Sequence, residues 1–351
     1  LGHRRLSIQD VSVNGAQPMH SSSGRWVIVF NGEIYNHYNL RTQLALNGQS
    51  PEWVGTSDTE TLLACIEAWG LNRTLRECRG MFALAVYDRK QKYLMLARDR
   101  MGEKPLYYVN YKQGFAVVSE LVALKHLPRL KFEIDKTAVK NYVAYGYVPD
   151  NQCVLKDVRK VRPGTIVTVN VNQGNTNEET WFSYEDMVLN SRGSDVEIPE
   201  QFIAKSVEAD LQEAVELQML SDVPLGCFLS GGIDSTIVTA LAQKVSRTPI
   251  RTFSMGFEEK NYNEAAFAAK IADHLGTNHT EFTVTEADAI DIVPELGGVY
   301  DEPFADSSHI PTLMVSRLAK SSVTVALTGD GGDEVFGGYN RHFRAPAIWN
   351  L

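Results

Sequence analysis

Cysteine is scarce and scattered: the 351 residues hold four, Cys65, Cys78, Cys153 and Cys227, with no C-x-x-C pair. That spacing indicates neither a disulfide framework nor a structural zinc site and fits reduced thiols in a cytoplasm. No stretch approaches the ~18–20 consecutive apolar residues of a membrane span, and the opening Leu1-Gly2-His3-Arg4-Arg5-Leu6 is no signal peptide. Positive charge is not in excess either. Lys and Arg number 34 against 43 Asp and Glu, a net charge of −9, which argues against a polyanion-binding surface. Neither a membrane nor a nucleic acid is expected as a partner. The chain lacks an initiator Met and stops at Trp349-Asn350-Leu351 without a terminating signal, so a fragment cut at both ends is expected.

What is present is a globular composition, 44% hydrophobic and 22% charged, over a length that allows about two domains. The first half reads as an antiparallel meander. Apolar runs at 26–30, 81–87, 93–97, 106–109 and 115–118 follow one another at hairpin spacing, broken by Asp88-Arg89-Lys90-Gln91, Asp99-Arg100-Met101-Gly102 and Lys112-Gln113-Gly114. Helices are expected at 39–46 and at 58–69, where Leu62, Leu63, Ile66 and Trp69 recur at helical spacing. The stretch 174–200 is polar and Gly-containing and is expected as a linker, giving domains over 1–173 and 201–351. Beyond it, strands at 223–229, 250–257, 282–284 and 323–327 alternate with helices at 235–245 and 263–275, the latter closed by Gly276. Such alternation builds a parallel sheet with ligands at the carboxyl ends of its strands.

Two unusual loops fall at those ends. Ser230-Gly231-Gly232-Ile233-Asp234-Ser235 joins a buried strand to a helix. Its glycines allow close backbone approach, the helix start offers free N–H groups to a phosphate, and Asp234 could hold Mg²⁺. No Lys follows, so the P-loop pattern is absent; a Gly turn with Ser as N-cap is the simpler alternative. The second loop, Thr328-Gly329-Asp330-Gly331-Gly332-Asp333-Glu334-Val335-Phe336-Gly337-Gly338-Tyr339, sets three carboxylates among five glycines. It reads either as a hard-cation site or as a solvated acidic turn, and the EF-hand spacing is absent. In the first half, Asn31-Gly32-Glu33-Ile34-Tyr35-Asn36 follows a strand end. An Asn amide beside a Gly N–H could form an oxyanion hole, although Asn-Gly is also a common turn pair. Arg5, Asp58 and Glu60 read as surface charges or as a clamp for an amino-acid zwitterion.

Taken in order, Leu1 to Ile8, Gln17-Pro18-Met19, Asn31 to Asn36, Ser57-Asp58-Thr59-Glu60, Gly80-Met81-Phe82-Ala83, Arg98-Asp99-Arg100, Lys104-Pro105-Leu106-Tyr107-Tyr108 and the two loops resemble the glutamine-dependent asparagine synthetase family over nearly the whole chain. The resemblance implies an α+β glutaminase domain of the N-terminal-nucleophile type. An α/β parallel-sheet domain of the ATP-pyrophosphatase type would follow it. It implies glutamine contacts at Arg5 for the α-carboxylate and at Glu33 and Asp58 for the amino group, with Asn31 and Gly32 as oxyanion hole. For ATP it implies Ser230, Gly231, Gly232, Asp234 and Ser235 around the phosphates, and Phe228, Met255, Thr328 and Gly329 around the adenosine. Asp234 and Asp333 match its Mg²⁺-holding positions, and Asp330 its acidic catalytic residue. The implied reaction converts aspartate to asparagine through a β-aspartyl-AMP, with glutamine-derived ammonia, AMP and pyrophosphate. A homodimer is compatible with it. The family's nucleophile is a Cys directly after the initiator, and no such Cys stands in this sequence. Two alternatives remain open: a relative aminating another carboxylate, such as a sugar acid in polysaccharide synthesis, and a non-catalytic nucleotide-binding protein.

Overall fold

The computed structural model describes residues 1–112, 114–127, 131–191, 199–257 and 265–349. Gln113 of one expected break, the expected linker's residues 192–198, and the start of the expected helix at 263 lie outside the described residues. The chain divides into two compact units, Leu1–Val196 with Gly297–Asp306, and Glu197–Leu296 with Ser307–Leu351.

The strands of the first unit are β1 (Met19–His20), β2 (Trp26–Ile34), β3 (Gly80–Asp88), β4 (Tyr93–Arg98), β5 (Tyr107–Tyr111), β6 (Gly114–Val118), β7 (Val158–Lys160), β8 (Thr165–Asn170) and β9 (Thr176–Thr180). They form a six-stranded sheet in the order β1-β2-β3-β4-β8-β9 and a three-stranded sheet β6-β5-β7, with every pairing antiparallel. Its helices are α1 (His37–Leu46), α2 (Asp58–Trp69), α3 (Leu71–Glu77), α4 (Lys136–Tyr145) and α5 (Tyr184–Ser191). The two-residue period of a strand divides the core. Phe82, Leu84 and Val86 of β3 pack with Leu62, Leu63 and Ile66 of α2, while the intervening Ala83 and Ala85 pack with Leu106, Tyr108 and Val167. Helices therefore cover one face of the large sheet and β5 the other. Small alanines on that second face let the two sheets approach.

The second unit holds α6 (Glu200–Gln218), β10 (Leu225–Phe228), α7 (Ile233–Val245), β11 (Arg251–Phe257), α8 (Ala265–Leu275), β12 (Asn278–Val284), α9 (Glu286–Ile292), α11 (His309–Ala319), β13 (Val325–Leu327), α12 (Gly332–Phe336) and α13 (Asn340–Trp349), while α10 (Leu296–Val299) opens the segment that returns to the first unit. The sheet is parallel, in the order β12-β11-β10-β13. Cys227 packs with Val215, Leu241 and Ala242 of α6 and α7; its neighbour Phe228 joins Phe253 and Ala319 on the opposite side. The order reverses at β10, which pairs with β11 on one side and with the much later β13 on the other. In open α/β sheets that switch point is where ligands bind, at the carboxyl ends of the strands.

Several local expectations shift. Residues Thr176–Thr180, inside the stretch expected as linker, form β9 and pair with β8; all five are exposed, so no alternation marks the strand in the sequence. β12 starts at Asn278, four residues before the expected run, because its polar Asn278, His279, Thr280 and Glu281 hide it. His279 there bridges the hydroxyls of Thr252 and Ser254. α6 buries only Val215, too sparse an apolar stripe for the pattern to reveal.

Candidate functional site

In the first unit, β2 and α2 meet at a cavity of about 560 Å³ lined by Arg5, Asn31, Gly32, Glu33 and Asp58. All five expected glutamine contacts are thus brought together. One expectation is corrected: Asn31 and Gly32 do not follow a strand end but lie inside β2, paired with Ala83 and Phe82. The turn alternative for Asn-Gly is removed with it. Gly32 sits at φ 154°, and a Cβ there would run into the backbone carbonyl of Met81, so the strand needs glycine at this point.

Asp58 opens α2, whose N-cap Ser57 accepts from the Glu60 N–H. Its carboxylate accepts from Ile34 N at 2.9 Å and Thr59 N at 2.7 Å, fixing it between strand and helix. Glu33 is buried and its Oε1 has no hydrogen-bond partner. Burial, then the Asp58 carboxylate, push Glu33 up to about 7, against the pull of Lys104. Burial likewise pushes Asp58 up to about 6, opposed by its backbone hydrogen bonds and by Arg5. Burial thus disfavours the ionised form of both carboxylates. Arg5 donates to the carbonyl of Gln9 at 2.7 Å and to that of Ser12 at 3.3 Å, so its guanidinium is held at the cavity rim.

Gln17, Lys104 and Glu120, to which the sequence motifs assign no role, line the same cavity. Gln17 accepts from Phe30 N at 2.6 Å and donates to Thr59 Oγ1 at 3.3 Å, tying β2 to α2. The Lys104-Pro105-Leu106-Tyr107-Tyr108 motif was the signal that could have flagged Lys104. No cysteine lines the cavity. All four are buried, and burial pushes Cys65 and Cys153 up to about 12, Cys227 up to about 11, and Cys78 upward as well.

In the second unit, the two Gly-rich loops leave the adjacent strands β10 and β13 at the switch point. They touch. A Cβ on Gly329 would stand 2.6 Å from Ser235 N, and one on Gly332 would stand 2.5 Å from Asp234 Cγ. Ser230 Oγ and Ser235 Oγ are 3.0 Å apart, and Ser230 Oγ accepts from Gly232 N at 3.3 Å. α7 begins at Ile233 with Gly232 as N-cap, so Asp234 and Ser235 occupy its first turn, where the helix dipole favours an anion. Gly231 and Gly331, at φ 87° and 90°, take conformations that a side chain would strain. In the second loop, Thr328 Oγ1 donates to Asp330 Oδ2 at 3.0 Å, and Asp330 is exposed. Of the expected adenosine contacts, Phe228 ends β10 and packs near Phe253, while Met255 lies on β11 against the cluster of Val284, Ile292 and Met314. Among the described residues no group of three or more His, Cys, Asp or Glu could hold a metal by itself. Asp234 lies against Gly332 and Asp333 against Gly338, and both carboxylates are hard oxygen donors.

Comparison with known proteins returns two families. The glutamine amidotransferase domain matches residues 1–182 and asparagine synthase matches residues 206–351. Asparagine synthetase (glutamine-hydrolysing) 1 of Bacillus subtilis is 36% identical over 339 residues, covering 97% of this chain and 51% of its own length. Putative asparagine synthetase (glutamine-hydrolysing) 2 of Methanocaldococcus jannaschii is 34% identical over 360 residues, covering 97% and 67%. Amidase chry2 of Gibberella zeae is 30% identical over 365 residues, covering 99% and 52%. The chain thus spans about half to two thirds of the length of these relatives. No helix among the described residues is long and apolar enough to cross a membrane.

Proposed function

The chain belongs to the glutamine-hydrolysing asparagine synthetase family, and from that premise we propose that it carries the glutamine pocket and the ATP-binding loops of an ATP-dependent amide ligase. The observation that carries the reading is the contact of the two loops: Gly329 and Gly332 lie against Ser235 and Asp234 at the sheet's switch point, where nothing bulkier fits.

In the first unit the cavity suits an amino-acid zwitterion. Arg5 would take the α-carboxylate and Glu33 with Asp58 the α-ammonium, whose charge relieves the cost of burying both carboxylates. The Asn31 amide and the Gly32 N–H would stabilise the oxyanion formed when the glutamine amide is attacked. Hydrolysis needs a thiolate nucleophile. None of the four cysteines is in the cavity, so residues 1–351 form the pocket and not the nucleophile.

In the second unit, Ser230, Gly231, Gly232 and Ser235 would hold the phosphates of ATP at the start of α7, with Phe228, Met255, Thr328 and Gly329 around the adenosine. The acceptor carboxylate attacks the α-phosphorus, forming an acyl-adenylate and releasing pyrophosphate; ammonia then displaces AMP to give the amide. Asp234 and Asp333 are the residues that would hold Mg²⁺, which when bound neutralises charge on the departing pyrophosphate. Asp330, exposed in the second loop, would accept a proton from the attacking ammonia. We assign aspartate as acceptor and a β-aspartyl-AMP as intermediate. A second reading takes another carboxylate as acceptor, since not every relative carries the asparagine synthetase name: one is named an amidase.

The test is product analysis of the full-length gene product with ammonia as nitrogen source. Asparagine and AMP support the assignment. ADP would overturn the pyrophosphate-loop reading, and AMP without asparagine would favour the second acceptor class.

A further inference from the structure

A peptide that arrives from far along the chain holds the turn that follows one wall of the cavity in the first unit. Residues Gly297–Asp306 belong to the first unit, although both flanks belong to the second. Three anchors hold this strap. The Asp301 carboxylate accepts from Leu121 N at 2.6 Å and from Val122 N at 3.3 Å, across 180 and 179 residues. Glu302 accepts from Val154 N at 2.8 Å and pairs with Lys160 Nζ at 2.6 Å, with side chains only 13% and 9% exposed. Ala305 N donates to Gly146 O at 2.6 Å, at the carboxyl end of α4.

The first anchor reaches the turn beside the cavity. Leu121 opens a 3-10 turn, Leu121–His126, whose own N-cap Glu120 makes no side-chain capping bond. Asp301 therefore supplies the cap that a Ser or Asp at position 120 would ordinarily give. Leu121 and Leu124 are buried beside Tyr107 and Val158, while Ser119, Glu120 and Ala123, interleaved with them, line the cavity. Burial, then the carboxylates of Glu302 and Asp301, push the Tyr107 phenol upward, in keeping with an enclosed strap.

We propose that Asp301 is a positioning residue for the glutamine pocket: by capping the 121–126 turn it fixes the Ser119–Ala123 wall, and so sets glutamine affinity without touching glutamine. The ligand in this statement rests on the function proposed above; the capping does not. Because coupling is reciprocal, glutamine in the pocket tightens the strap by the factor by which the docked strap tightens glutamine.

The experiment uses the 351-residue chain, in which binding can be read without turnover. Asp301→Ala and Asp301→Asn are compared with the parent by hydrogen exchange, by calorimetric titration with L-glutamine, and by melting temperature. Asp301→Ala should speed exchange of the Leu121 and Val122 amides about tenfold or more and raise the glutamine Kd about fivefold or more. Asp301→Asn, whose amide oxygen still accepts, should restore most of both at a similar melting temperature. Added glutamine should slow exchange across the strap in the parent. Unchanged exchange at residues 121 and 122 in Asp301→Ala overturns the proposal, as does faster exchange with glutamine affinity unaltered. A parent that binds no glutamine, with exchange still accelerated in Asp301→Ala, would overturn the glutamine assignment and leave the capping role standing.

Discussion

Gly332 lies against the carboxyl group of Asp234: a Cβ on Gly332 would stand 2.5 Å from Asp234 Cγ and 2.8 Å from its Oδ2. The two residues are 98 positions apart, on loops leaving neighbouring parallel strands. At Gly332, as at Gly329, Asp234 meets backbone where a side chain would collide with it. This packing explains why the second loop is so rich in glycine where it passes the first.

Gly332→Ala should therefore displace Asp234 or the loop itself. ATP affinity, measured by equilibrium dialysis with Mg²⁺, should fall about tenfold, roughly 1.4 kcal/mol. The melting temperature should move little, because Gly332 is not in the core and the strands beneath it keep their packing. A full-affinity alanine variant would show that the loop contact is incidental to binding.

Asp234→Asn and Asp333→Asn should each abolish exchange of labelled pyrophosphate into ATP in the full-length gene product, with aspartate and Mg²⁺ present. Each removes a charge at a strand end and no apolar contact, so the far-ultraviolet circular dichroism should be unchanged. Exchange at the parent rate in both variants would remove the metal assignment.

The sequence made the two loops legible because glycines and carboxylates concentrated at strand ends have few other uses, and the alternation around them announces a parallel sheet. It made α2 legible to the residue, since Leu62, Leu63, Ile66 and Trp69 mark a clean apolar face under a Ser57 cap. Spatial neighbours were harder. Gly329 against Ser235, Gln17 between β2 and α2, and Asp301 on the 121–126 turn are contacts across long stretches of chain, and no local period encodes them. β9 and the start of β12 were hidden because exposed or polar residues fill them. Asn31-Gly32 looked like a turn because the dipeptide usually is one; nine residues of pairing with β3 override that preference.

Glu33 offers a pH test whose sign follows from its environment. Its folded value, about 7, is raised above the usual 4.5, so the folded chain binds more protons than the unfolded chain between those two values. Stability from this group is then greatest at low pH and falls as pH rises through that window, by an amount on the order of 1–3 kcal/mol. Glutamine binding runs the other way, because the α-ammonium needs ionised carboxylates. Affinity should drop as pH falls from about 8 to 6, and binding near pH 7 should release protons, visible as a buffer-dependent heat. Glu33→Gln should raise stability above pH 7 while weakening glutamine. A variant that weakened both would contradict the burial argument.

Amide hydrolysis of the kind proposed needs a thiol whose proton passes to a nearby base, in this family the thiol's own free α-amine. Leu1 carries no nucleophile, and Cys65, Cys78, Cys153 and Cys227 are buried in cores, with thiol pKa values raised rather than lowered. Residues 1–351 should thus release no glutamate from glutamine above background, even though the pocket residues Arg5, Asn31, Gly32, Glu33 and Asp58 are assembled. Cys→Ser at any of the four should leave that background unchanged. In a full-length gene product whose mature chain begins with Cys, glutaminase activity should appear, and Asn31→Ala there should lower kcat by roughly 10²–10³ if its amide faces the developing oxyanion. The Km of that variant should move much less, since the contact strengthens only as charge develops. Substantial turnover by the 351-residue chain, lost on replacing one internal cysteine, would relocate the nucleophile and with it the site.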